Sequence, residues 1–214
     1  LIRTVFFDLD GTFADTAPDL AFAVNRMRET RGLPPLPVAV TRPVTSLGAR
    51  GLLGKGFEMT PEHPEFKAMR AELLDIYRNN ICRESRLFAG MDETLEGLES
   101  RGLSWGIVTN KAEGLARLLL DRMGVAARAV CIVGGDTTGH TKPHPAPLIA
   151  ACRAAGVGGE ACLYVGDDER DIVAGRAAGM KTAAAGWGYL NGGRPETWGA
   201  DWIVEHPQEL LRLL

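Results

Sequence analysis

Apolar positions along this chain gather into short runs whose period changes with position. Val5, Phe6 and Phe7 are consecutive, the pattern of a strand buried on both faces. From residue 90 onward such runs alternate with helical stripes. "MDETLEGLESRG" predicts a helix entered at Asp92 and ended by Gly102, with Leu95 and Leu98 on one face. "LSWGIV" (103–108) predicts a strand ending in Thr109, and "KAEGLARLLLDRMG" a helix stopped at Gly124. "AVCIVGG" (129–135) and "ACLYVG" (161–166) predict strands, while "APLIAACRAAG" and "RDIVAGRAAG" predict helices closed by Gly156 and Gly179. "KTAAAG" and "DWIV" make two weaker strands before a final helix, "PQELLRLL". Strands alternating with helices imply an α/β fold, a parallel sheet with helices on both faces.

Residues 16–82 break that rhythm. "PDLAFAVNRMRE" carries Leu20, Ala23, Val24 and Met27 at helical spacing, and "PEFKAMRAELLDIYRNN" does so with Phe66, Met69, Leu73, Leu74 and Tyr77. A Pro-, Thr- and Gly-rich stretch separates them. The expected organisation is a sheet domain of 1–15 and 83–214, with an all-helical insertion over 16–82.

Composition changes this picture little. The chain is 45% hydrophobic and 24% charged, ordinary for a globular protein, and its net charge of −3 argues against nucleic-acid or anionic-membrane partners. No apolar run approaches the ~20 residues of a membrane span. Cys82, Cys131, Cys152 and Cys162 have no C-x-x-C spacing and no histidine cluster near them, so reduced thiols and a cytoplasmic location are expected.

The candidate chemistry stands at the strand ends. Asp8 and Asp10 follow the first strand, Thr109 follows the next, Lys142 follows the third and Asp167 the fourth. In an open parallel sheet, ligands bind beyond the carboxyl ends of the strands, so these residues should meet in one crevice. Several carboxylates suit a hard cation such as Mg²⁺, and a lysine and a hydroxyl suit phosphate oxygens. A cation would also offset the repulsion among the aspartates.

Four segments, "DLDGT" (8–12), "VTNK" (108–111), "TKPHP" (141–145) and "VGDDERDIVAGRAAG" (165–179), resemble in order the motifs of the haloacid dehalogenase superfamily of phosphotransferases. That resemblance implies a Rossmann-like three-layer core and a helical cap in the insertion. It implies that Asp8 is the nucleophile and Asp10 the general acid and base. Asp8, Asp167 and the Asp10 carbonyl would hold Mg²⁺. Thr109, Lys142 and the Asn110 backbone N–H would bind phosphoryl oxygens, with Gly11 and Thr12 beside them. Asp168 or Asp171, with Asp171 preferred, would orient metal-bound water or Lys142.

Within the insertion, "TSLGARGLL" (45–53) is the expected specificity loop, with Ser46 near the substrate and Arg50 facing a substrate carboxylate. Across its length the chain is similar to phosphoglycolate phosphatases, and "TRPVTSLGARGLL" resembles the branch acting on N-acetylmuramic acid 6-phosphate. The expected partner is thus a small-molecule phosphate monoester, and the expected assembly a monomer or homodimer. Carbon–halogen hydrolysis, phosphoryl mutase chemistry and a non-catalytic phosphate-binding module are the competing readings; Asp10 speaks against the first. Asp15 is expected to cap the helix at 18–29. His140 and His144 are expected on the surface, and Trp187, Trp198 and Trp202 in packing roles.

Overall fold

A computed structural model describes residues 1–214. Its centre is the strand β1 (Thr4–Phe7), every residue of which is buried. The chain then makes a short strand β2 (Ala14–Asp15) and a helical segment. This comprises α1 (Ala17–Glu29), α2 (Val38–Thr41), a 3₁₀ turn (Arg42–Leu47), α3 (Gly48–Phe57) and α4 (Phe66–Asn79). It returns through β3 (Arg86–Leu87), which pairs antiparallel with β2. Thereafter come α5 (Met91–Ser100), β4 (Ser104–Val108), α6 (Glu113–Arg122), β5 (Ile132–Val133), α7 (Ala146–Ala155) and β6 (Cys162–Gly166). The remainder is α8 (Glu169–Ala177), β7 (Lys181–Ala185) and β8 (Trp202–Val204), ending in a 3₁₀ helix (Pro207–Arg212).

The main sheet has six parallel strands in the order β5-β4-β1-β6-β7-β8. Alternation along β1 divides the core, because successive side chains leave opposite faces of a strand. Val5 and Phe7 pack with Leu95 and Leu98 of α5 and Leu119 and Leu120 of α6. Phe6 packs on the other face with Leu148 of α7 and Ala174 of α8. The expected three-layer α/β architecture is the observed one.

The helical segment has its own core, in which Leu20, Val24 and Met27 of α1 meet Leu52 and Leu53 of α3 and Leu73 of α4. Leu115 of α6 also joins this cluster. The outgoing and returning chains are tied together: the buried Asp19 carboxylate accepts from the N–H groups of Glu84 and Ser85 and from the Ser85 hydroxyl at 2.6 Å. No helix is long and apolar enough to cross a membrane, and all four cysteines are free.

Several local expectations change. The segment 45–53 is not a loop but a 3₁₀ turn running into α3, drawn into helix by burial of Leu52 and Leu53. The strand expected at 129–135 contracts to Ile132–Val133, because it is the sheet edge and pairs with β4 alone. The final helix is 3₁₀ rather than α. The helix expected from Lys111 starts at Glu113. Asp15 does not cap α1; the Tyr189 hydroxyl accepts from the N–H groups of Thr16 and Ala17 and donates to Asp15 Oδ1 at 2.7 Å. Arg42 holds the same carboxylate oxygen at 2.8 Å.

Candidate active site

Register brings the strand ends level. Phe7 pairs with Ile107 of β4 and with Val165 of β6, so Asp8 stands one step before Thr109 and Asp167 across the two neighbouring strands. The Asp8 N–H still donates to Val165 at 2.9 Å, which fixes the carboxylate at the edge of the ladder. Its Oδ1 accepts from the Leu9 N–H at 2.7 Å and lies 2.9 Å from Lys142 Nζ. Asp10 is tethered in the same manner. Its Oδ1 takes Lys111 Nζ at 2.6 Å and the Thr16 hydroxyl. Each carboxylate is thus held through one oxygen by its own lysine, and each Oδ2 has no partner.

Lys142 is 3% exposed at its side chain and contacts Asp171 Oδ1 at 2.6 Å, the Tyr164 hydroxyl at 2.7 Å and the Val108 carbonyl at 3.1 Å. Burial opposes its charge, but Asp171 and Asp8 outweigh burial and hold its pKa above the ordinary lysine value. Asn110 clasps the backbone on both sides of this lysine, its Oδ1 accepting from the Lys142 N–H at 2.8 Å and its Nδ2 donating to the Lys142 carbonyl at 3.0 Å. The Asn110 N–H donates to no backbone or side-chain acceptor of the chain. Thr109 is buried, and its hydroxyl accepts from the Lys111 N–H.

Asp167 lies beneath the cavity, fully buried. Thr12 donates to its Oδ1 at 2.7 Å, and the Tyr189 N–H donates to its Oδ2 at 2.9 Å. Room for this carboxylate comes from Gly11, at φ +91, where a Cβ would stand 2.4 Å from Asp167 Oδ2. Asp8, Asp167 and Asp171 each offer an oxygen within 4.8 Å of the others. Burial first, then the charges of Asp8 and Asp171, push the Asp167 pKa well above the usual carboxylate range.

This donor set fits a hard divalent cation, since buried oxygens in excess of the local positive charge are what such an ion needs. Asp171 is already committed to Lys142, which leaves Asp8 and Asp167 as carboxylate donors. The Ser46 hydroxyl lies 3.3 Å from the Asp10 carbonyl and 3.5 Å from Asp167 Oδ2, so both of those oxygens face one spot. The expected trio of Asp8, Asp167 and the Asp10 carbonyl is compatible with that arrangement.

A cavity of about 370 Å³ opens over these groups. Asp8, Asp10, Thr109, Asn110 and Lys142 line its floor, and Ser46 and Arg50 line it from the helical segment. Asp168 and Asp171 also reach it with different duties. Asp171 holds Lys142, whereas Asp168 caps α8 and makes a bidentate pair with Arg170 at 2.7 and 2.9 Å. Gly11 and Thr12 were expected beside the substrate. Both lie below the cavity instead, and Thr12 is fully buried, its hydroxyl spent on orienting Asp167. His140 and His144 stack on each other at the surface, and none of Trp187, Trp198 and Trp202 reaches the cavity.

Sequence reasoning missed Lys111, Tyr164, Arg170 and Tyr77. Lys111 closes the segment "VTNK" (108–111), and its position just past a strand-end threonine is a usable signal. Arg170 NH2 reaches the Ser46 carbonyl at 3.0 Å and so links α8 to the helical segment. Nothing in the sequence distinguished Tyr164 and Tyr77 from core residues.

With this geometry in place the family is plain: residues 5–185 match the model of the haloacid dehalogenase-like hydrolases, and the chain belongs to that family. Among individual proteins, it is 46% identical over 209 residues to a phosphoglycolate phosphatase of Xanthomonas campestris pv. campestris, covering 97% of this chain and 94% of that one. It is 42% identical over 214 residues to the N-acetylmuramic acid 6-phosphate phosphatase of Pseudomonas aeruginosa, covering 100% and 95%. The crystal structure of a predicted phosphoglycolate phosphatase from Haemophilus somnus 129PT superposes with a TM-score of 0.88 at 29% identity, over 99% of this chain and 97% of that one.

Proposed function

We propose that the protein is a Mg²⁺-dependent phosphomonoester hydrolase that acts on a carboxylated phosphate ester through an aspartyl-phosphate. One observation carries the reading: Asp8 and Asp10 both line the cavity, and each is tethered at Oδ1 by a separate lysine while its Oδ2 is unpartnered. Two carboxylates held this way divide the work of nucleophile and proton carrier.

Asp8 forms a bond to phosphorus as the ester P–O bond breaks, and Asp10 gives its proton to the departing alkoxide. Asp10 then takes a proton from water as that water attacks the phosphoenzyme, releasing phosphate and restoring Asp8. Thr109, Lys142 and the Asn110 N–H would hold the phosphoryl oxygens, where preorganised donors do most of the catalysis. Asp8, Asp167 and the Asp10 carbonyl would hold Mg²⁺, which when bound offsets the carboxylate charge and draws charge from the phosphoryl group. Asp171 keeps Lys142 in place, and Thr12 keeps Asp167 in place.

Residues 16–82 form the cap in this reading, with the β2–β3 ribbon as its connection to the sheet domain. Burial of the reacting groups beneath it limits competing water. Arg50 of α3 and Arg70 of α4 line the cavity, and neither takes part in an ion pair with a carboxylate of the chain. They are suited to the substrate's own carboxylate.

At ~30 Å³ per water-sized group, the 370 Å³ cavity admits roughly a dozen such groups, enough for a small ester such as phosphoglycolate, and its wall includes Leu20, Leu47, Leu73 and Leu74. The test is phosphate release from phosphoglycolate, N-acetylmuramic acid 6-phosphate and common sugar phosphates, with Mg²⁺ and with chelator. Mg²⁺-dependent release from the carboxylated esters is expected; absence of release from every ester would refute the proposal.

A further inference from the structure

The Tyr77 hydroxyl is the one buried side-chain polar atom in the molecule with no well-formed hydrogen bond; its polar neighbour is the Lys111 ammonium, which can only donate to it, so the phenol proton has no acceptor in the chain. Tyr77 is 1% exposed, and its ring packs in the core of the helical segment with Met27, Leu52 and Leu73. A phenylalanine would fill that space without the cost of an unsatisfied phenol. Yet Tyr77 also belongs to the wall of the active-site cavity, together with Asp10 and Lys111. Lys111 Nζ stands 4.8 Å from the ring centroid and 2.6 Å from Asp10 Oδ1. Burial pushes the phenol up to about 12, so it keeps its proton and remains a donor at neutral pH.

We infer that the Tyr77 hydroxyl is a specificity-determining group, hydrogen-bonding an oxygen carried by the substrate carbon adjacent to the ester carbon. The inference rests on the phosphatase reading above. If Asp10 protonates the ester oxygen, that oxygen lies against Asp10, and the next atoms of the alcohol lie where the cap closes the cavity. Thr16 and Ser46 of the cap already spend their hydroxyls on Asp10, whereas Tyr77 stands one ammonium group away from it with its proton unspent. Lys111 does not replace it, because its charge is already matched by Asp10. Hydroxy acids meet the requirement through their carboxylate, and hexose 6-phosphates through the ring oxygen. A plain alkyl phosphate leaves the hydroxyl unpaired, and a site built around a hydrogen bond discriminates strongly against a ligand that lacks it.

The test is Tyr77→Phe, assayed with Mg²⁺ on phosphoglycolate, N-acetylmuramic acid 6-phosphate and ethyl phosphate, with thermal unfolding of the ligand-free proteins alongside. The expected result is an about tenfold fall in the ratio of kcat/KM for either oxygenated ester to that for ethyl phosphate. The melting temperature of the variant should be no lower than that of the wild type, because the ring and its packing remain. A ratio unchanged within about twofold overturns the assignment, whether activity is retained on all esters or lost equally on all, since either outcome makes Tyr77 a packing residue. A wild type inactive on every ester refutes the phosphatase reading itself, and with it the Tyr77 role that depends on it.

Discussion

Replacing Lys142 with methionine keeps the length and apolar stem of the side chain and removes only its charge and donors. In the folded protein that ammonium lies 2.9 Å from Asp8 and 2.6 Å from Asp171, with side chains between 2% and 11% exposed on all three residues. Leaving a buried charge without its partner costs about 3–5 kcal/mol. For a chain of this size each kcal/mol moves Tm by about 2–4 °C, so Lys142→Met should melt ~6–20 °C lower in chelator. The deficit should depend on pH. Burial above all, opposed by Lys142, already holds Asp171 at about 7. A carboxyl raised in the folded state favours folding at low pH and loses that contribution as pH rises through its folded value. Without the lysine Asp171 rises further, so the deficit should be smaller at pH 6 than at pH 8.

Thermal and urea unfolding of four proteins decides the matter: wild type, Lys142→Met, Asp171→Asn and the double variant. The double variant should recover part of the loss, with a coupling of roughly 1–3 kcal/mol. In turnover, loss of a preorganised donor to the phosphoryl oxygens should lower kcat by about 10²–10³-fold. A Tm change under about 3 °C, or strictly additive single losses, would show that the lysine is not the counter-charge of these carboxylates.

Other perturbations separate the remaining roles. Asp8→Asn should abolish phosphate release while the protein keeps its fold; measurable steady-state turnover above background would remove Asp8 as nucleophile. Asp10→Asn should slow both formation and hydrolysis of the phosphoenzyme, and single-turnover rates equal to wild type would exclude proton transfer there. Arg50→Ala should raise KM for carboxylated esters by roughly 10-fold or more relative to a plain alkyl phosphate, the weight of a charged hydrogen bond; an equal effect on both would assign it to structure. Mg²⁺ at about 100 times its Kd should stabilise the wild type by ~2.7 kcal/mol and raise Tm by about 5–10 °C. Asp167→Asn should lose most of that shift, and a variant that retains it would take Asp167 out of the metal site.

The strand ends were legible because the sheet rule links chain order to space. Asp8, Thr109, Lys142 and Asp167 each follow an apolar run, and parallel strands in register must bring such residues to one edge. The partners of those residues were not legible. Tyr189 meets Asp15 and the start of α1 across more than 170 positions of sequence, and no local pattern encodes so distant a contact. Asp15 directly before a helix looked like a cap, yet its carboxylate found a phenol and a guanidinium instead. Thr12 beside Gly11 looked like a substrate contact, but the turn that Gly11 permits points its hydroxyl down at Asp167. Tyr77 sits in an apolar stripe with Met69 and Leu73, so periodicity reports its ring as core, correctly, and carries no information about its hydroxyl.

The neighbouring aspartates are tolerable in the folded chain because their charges are separated by partner rather than by distance. Asp8 takes its cation from the loop after β5, and Asp10 takes one from the loop after β4. The division has a chemical consequence. A single shared lysine would bind both carboxylates in one network, and a proton gained by one would change the charge felt by the other. In the proposed mechanism, separate lysines let Asp10 exchange a proton while Asp8 keeps its counter-charge, which is what a nucleophile working beside a general acid requires. The same arrangement exposes Asp10 to the cap, because Lys111 rests on the Tyr77 ring while Lys142 rests on Tyr164 of the sheet. Changes in how the helical segment seats should therefore reach Asp10 before they reach Asp8.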